Sequence, residues 1–200
     1  MFAIISAAGW PIWPLLFASI IALALIFERL YSLRAEKIVP VGLLKRALTD
    51  FKKGQDNSKL FSELEKSSPL GRVLVVGLRN AHNSREVVLD ALEEAGSSVA
   101  HELNRYLTTL GTIASISPLM GLFGTVVGMI EIFGSQAPGT GNPQELAHGI
   151  SVALYNTGFG ILIAIPSMIF WRHFRAKVDG FVVAMQQQAM KLVEYTHANK

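Results

Sequence analysis

Along this chain, long stretches without a single Asp, Glu, Lys or Arg alternate with mixed stretches of helical period. Phe2 to Phe27 holds none in 26 residues, Tyr106 to Ile130 none in 25, and Leu146 to Trp171 none in 26. Crossing a hydrocarbon core of about 30 Å takes roughly 20 apolar residues, and 25 helical residues reach roughly 38 Å. The pattern therefore predicts three transmembrane helices, at 1–28, 106–131 and 146–171. Three buried helices of a soluble core would need a polar shell that 200 residues do not provide.

The mixed stretches read as helices too. In the region 29–105, Leu44, Leu48 and Phe51 share one face, Gly54 to Ser58 reads as a turn, and Leu60 and Leu64 recur four apart. Asn83 with Glu86 three residues later has the form of a capped helix start. From there Val87, Leu89, Leu92, Val99 and Leu103 lead into the second span, interrupted only by Gly96, so the helix is expected to run unbroken from the cytoplasm into the membrane. After the third span, the tail 172–200 carries Phe174, Val178, Phe181, Val182, Met185 and Ala189 at three and four spacing. It is expected to continue the third helix and to pack on the mixed region or on neighbouring copies. The fold class is all-α: an integral membrane protein whose long helices extend beyond the membrane.

Composition agrees, with 50% hydrophobic and 16% charged residues against about 25% charged in ordinary soluble domains. Charge position adds orientation. Thirteen of the 18 basic residues lie between Arg29 and Arg105 and five between Arg172 and Lys200, while the segment 132–145 has none. By the positive-inside tendency, both basic regions face the cytoplasm and the N-terminus and 132–145 lie outside, as in a multi-pass membrane protein. Ala22-Leu23-Ala24 has the small-x-small form of a cleavage site. No basic residue precedes it, however, and Arg29 and Arg34 follow, so 1–28 is expected to stay as a membrane helix. Trp10, Trp13 and Tyr31 suit the two interfaces with membrane lipid.

The same distribution argues against nucleic acid as a partner, because the basic residues are interleaved with eleven acidic ones between Glu28 and Glu102. There is no cysteine, hence no disulfide framework or thiolate site. The five histidines lack ligand spacing, and no phosphate loop or nucleophile–base set appears. No metal, no cofactor and no catalytic residue is expected; the chain does not read as an enzyme.

The informative residues lie inside the second and third spans. Gly111, Ala114, Pro118, Gly121, Thr125 and Gly128 form one narrow stripe of small residues, with Gly124 adding a Gly-x-x-x-Gly spacing to Gly128. Gly149, Ala153, Asn156, Thr157, Gly160, Ala164 and Ser167 form another. Such stripes let helices approach closely where hydrophobic drive is absent, and packing alone explains any single glycine. The second reading is that both stripes face a central cavity lined by Thr125 and Thr157, with Tyr155 and Asn156 adding polarity. Pro118 and Pro166 each free a carbonyl one turn earlier. No Asp or Glu stands at mid-span, and a proton carrier needs a titrating group in the membrane. If this chain conducts protons, a partner supplies the carboxylate.

Gly121-Leu-Phe-Gly-Thr-Val-Val-Gly-Met-Ile and Gly149-Ile-Ser-Val-Ala-Leu-Tyr-Asn-Thr-Gly-Phe-Gly-Ile-Leu-Ile-Ala-Ile-Pro resemble the signature spans of the MotA/TolQ/ExbB proton-channel family. Size, three spans and an outside N-terminus look like its ExbB and TolQ branches, most like ExbB. The resemblance implies a pentameric ring around two copies of an ExbD-like single-span protein, whose membrane Asp carries the proton. The proton flow would drive a TonB-like protein that energises outer-membrane transport. Thr125 and Thr157 match the family's pore threonines. Val152 departs from the pattern, since similar members usually show Glu there. The alternatives are a TolQ-like subunit serving envelope integrity and a non-conducting membrane scaffold.

Overall fold

The computed structural model describes residues 9–52, 57–135 and 143–197. They form seven helices and no strand: α1 Ile12–Ser32, α2 Ala35–Ile38, α3 Leu43–Lys52, α4 Asn57–Ser67, α5 Pro69–Arg79, α6 Arg85–Ser135 and α7 Pro143–His197. Of these, α1, α6 and α7 are long and apolar enough to cross a membrane. Gly54 to Asp56, part of the expected turn, and 136–142 of the expected periplasmic segment lie outside the described residues. Asn57 and Ser58, read as the end of that turn, instead open α4.

Of the first expected span, 1–8 lie outside the described residues, and among the described ones its helix runs from Ile12. Gly9 has φ +73°, a conformation that favours glycine, and Pro14 stands in the first turn, where its missing N–H costs no hydrogen bond. The second span and the helix before it are one element of 51 residues, and the third span and the tail one of 55. The helix expected to run from the mixed region into the second span does so, passing Gly96 without a break. The expected start at Asn83 shifts to Arg85. The Asn83 side-chain amide donates to Asn80 Oδ1 at 3.0 Å instead of capping, and the first helical carbonyl is that of Ser84.

The chain divides into two compact units, one drawn from 1–28 and 106–173, the other from 29–105 and 174–200. In the second unit, Ser68 caps α5 by accepting from the Gly71 amide at 3.1 Å, with Pro69 in the first turn. This start uses a pairing of N-cap serine and N1 proline. A Cβ on Gly71 would run into the Leu64 carbonyl, and one on Gly77 into the side chains of Leu192 and Leu92. Glycine is what lets α5 seat against α4 on one side and against α6 and α7 on the other. Leu70, Leu74, Leu78, Val88, Phe174, Val178 and Leu192 fill the core of this unit. The tail helix buries Phe174, Val178, Phe181, Met185 and Ala189, the apolar face its spacing marks out. Arg29 is 5% exposed, and its Nη1 donates to the Leu103 carbonyl at 3.3 Å. Sequence reading had it only as a flanking charge.

Candidate functional site

The first unit is built on a close approach of α6 to α7. A Cβ on Gly111 would lie 2.7 Å from Trp171 Nε1, one on Gly121 2.7 Å from the Asn156 carbonyl, and one on Gly124 2.7 Å from Asn156 Cβ. Further out along α6, Gly128 faces Ala153 at 3.1 Å. From the other helix, Gly149 faces Ile132 and Gly160 faces the Ser117 carbonyl, each at 2.5 Å. Residue numbers rise along α6 as their partners' numbers fall along α7, so the two helices are antiparallel. The two small-residue stripes meet each other within one chain. Backbone approach of this kind replaces the hydrophobic drive that lipid cannot provide.

At the centre of this contact lie the threonines. The Thr125 and Thr157 hydroxyl oxygens are 2.5 Å apart, and Thr125 Oγ1 also lies 3.2 Å from the Ala153 carbonyl and 3.3 Å from that of Gly121. One hydroxyl hydrogen serves one acceptor, so Thr157 donating to Thr125 leaves the Thr125 hydrogen for a carbonyl. In that arrangement a hydrogen-bonded chain runs from Thr157 through Thr125 to a backbone carbonyl and joins the two helices. Elsewhere in the two helices, hydroxyls fold back on their own turn: Thr112 on Thr108, Ser115 on Gly111 and Ser151 on Ala147, each at 2.9 Å. That is the ordinary fate of a helical hydroxyl, and Thr125 and Thr157 go beyond it.

Asn156 packs on Gly124 beside this pair and is 1% exposed. Tyr155 is not brought to it. A helix turns about 100° per residue, and Tyr155 points to a separate hollow lined by Ser151, Leu154, Gly158, Phe159 and Leu162. It is 42% exposed. Pro118 and Pro166 sit inside unbroken helices. Beside them Ser117 Oγ donates to the Ile113 carbonyl and Ser167 Oγ to the Ile163 carbonyl, each at 2.7 Å. Both serines are buried, a pairing of Ser with Pro that the sequence displays and that spacing rules do not single out.

A cavity of about 350 Å³ opens between the ends of these helices. Glu131, His148, Val152 and Asn156 are among its lining residues. At the N-terminal end, Trp10 meets Phe123 edge-on at 6.1 Å, and Trp13 is exposed. At the other end of α1, Lys37 Nζ lies 3.4 Å from the centre of the Tyr31 ring and Arg34 5.1 Å, a cation–π cluster at the foot of the span. No group of three or more His, Asp or Glu able to hold a metal occurs among the described residues.

Three helices long and apolar enough to cross a membrane, two of them zipped through glycines around a hydroxyl pair, define a multi-span membrane protein. The model of the MotA/TolQ/ExbB proton channel family matches residues 65–187, and the chain belongs to that family. It is 35% identical to the biopolymer transport protein exbB1 of Vibrio cholerae, over 80% of this chain and 72% of that one. It is 30% identical to the Tol-Pal system protein TolQ of Pseudomonas aeruginosa, over 81% of this chain and 75% of that one. The ExbB protein of Salmonella typhimurium is 32% identical over 51% of this chain and 42% of its own length.

Proposed function

We propose that this chain is the ExbB-like subunit of an inner-membrane motor that uses the proton motive force to energise TonB-dependent outer-membrane transport. Five copies form a ring around an ExbD-like single-span partner, and a TonB-like protein receives the work. The N-terminus is periplasmic and the C-terminus cytoplasmic, as the distribution of Lys and Arg supports. Thr125, Thr157 and Asn156 carry the proton's path within the subunit.

The contact between the Thr125 and Thr157 hydroxyls is the observation that carries this reading. Hydroxyls relay a proton by exchanging donor and acceptor roles, but they hold no charge near neutral pH. The charge-free spans therefore require a carboxylate from elsewhere, and the partner's membrane Asp meets that need. A TolQ-like role in envelope integrity is the second reading. It is favoured by a likeness to TolQ that covers as much of this chain as the likeness to exbB1 does.

The test is Thr157→Val, which keeps the shape and removes the hydroxyl. Proton flux through the complex in vesicles is expected to fall at least about tenfold, since one lost proton-relay contact costs a rate on the order of 10²–10⁴. Assembly with the partner is expected to persist. Full flux in Thr157→Val would overturn the hydroxyl pair as the proton's path, and no flux through the unaltered complex would favour a non-conducting scaffold.

A further inference from the structure

The cavity between α6 and α7 has an orientation. Glu131 and His148 at one end are exposed, while Asn156 at the other is 1% exposed. His148, Val152 and Asn156 follow one another at four-residue spacing along α7, so the cavity runs about 12 Å along that helix. Opposite them, Glu131, Val127, Gly128 and Gly124 form the α6 wall. Packing of Gly149 on Ile132 sets the turn bearing His148 against the turn bearing Glu131. At the inner end, Gly124 and Asn156 are the sequence neighbours of Thr125 and Thr157, whose hydroxyls touch.

We propose that this cavity is a water-filled inlet within each subunit, through which protons pass from the face bearing Glu131 and His148 to the threonine pair. The proposal deepens the proton-path reading above and rests on it. Its volume of about 350 Å³ holds roughly ten waters at about 30 Å³ each. The polar partners such waters need stand at both ends: a carboxylate and an imidazole at the mouth and an amide at the floor. Glu131 and His148 are the two charged or imidazole side chains among the lining residues described. The valines and glycines between them leave the middle open and offer nothing that would trap a proton.

The chain has no native cysteine, so single cysteines report without background. In the assembled complex with its partner, Val152→Cys is expected to react with a membrane-impermeant quaternary-ammonium thiosulfonate within about tenfold of the rate at Gln144→Cys. The reagent is applied from the side where Gln144→Cys reacts. Val152→Phe is expected to plug the inlet and lower proton flux at least tenfold with the partner still bound. Protection of Val152→Cys by more than a hundredfold overturns the inlet. So does full flux in an assembled Val152→Phe complex. Flux lost in Thr157→Val but kept in Val152→Phe rejects the inlet and leaves the proposed function standing. The reverse pattern rejects the threonine pair and leaves the inlet.

Discussion

Glycines in this protein fall into two kinds, and the difference decides what a methyl group does at each. At Gly160 an added Cβ would sit 2.5 Å from the Ser117 carbonyl and 3.1 Å from Gly121 Cα. Both neighbours are backbone, so α6 and α7 would have to move apart. At Gly158 nothing lies within 4 Å. Gly160→Ala is expected to destabilise by about 1–3 kcal/mol, the usual range for overpacking, whereas Gly158→Ala, which removes a poor helix former, leaves stability equal or higher. Thermal melting of the two variants in detergent separates them, and equal melting points would contradict the close approach. Residue spacing made the stripes visible, because Gly121, Thr125 and Gly128 fall on one helix face whatever surrounds them. That Glu131 and His148 line one cavity was not legible, because it depends on the antiparallel register of α6 on α7. Tyr155 was grouped with Thr157 by proximity in sequence, and the helical turn of about 100° per residue separates them.

Among the elements, the long helices were readable from the absence of charge together with the apolar period running through it. Leu92, Val99 and Leu103 continue without a stop signal into the second span, and the structure has one helix there. Short elements were harder. Local groups compete for the same backbone donors: the Asn80 carbonyl accepts from the Asn83 backbone N–H at 2.9 Å, the donor that the Glu86 side chain of a capping box would have taken. The start of α5 at Ser68-Pro69 carried its signal openly but lay in a stretch rich in similar small residues. That cap has a measurable consequence: Ser68→Ala removes the acceptor for the Gly71 amide and is expected to cost about 1 kcal/mol. Hydrogen exchange at the Gly71 amide is expected to speed up about fivefold, the equivalent of that loss. Unchanged exchange would show that the amide has another acceptor.

For the whole molecule, exposure of large apolar side chains is the governing fact. Phe17, Ile20 and Phe27 on α1, Leu119 and Ile130 on α6, and Leu162 and Ile169 on α7 are each more than 60% exposed. Lipid and neighbouring copies are the surroundings that such a surface needs. Native mass measurement of the complex extracted from its membrane is expected to give five copies of the 21.8 kDa chain with added mass from a small single-span companion. A bare monomer or dimer would remove the partner on which the carboxylate depends. The glycine contacts also limit how such an assembly moves. Six glycines spread from Gly111 to Gly128 and Gly149 to Gly160 mesh with carbonyls and side chains on the opposite helix in the register observed. Sliding one helix past the other by a turn would drive side chains into backbone at every one of these points. In the proposed motor the α6–α7 pair is therefore expected to act as a stator: fixed against itself, it leaves the stroke to whatever turns or shifts beside it.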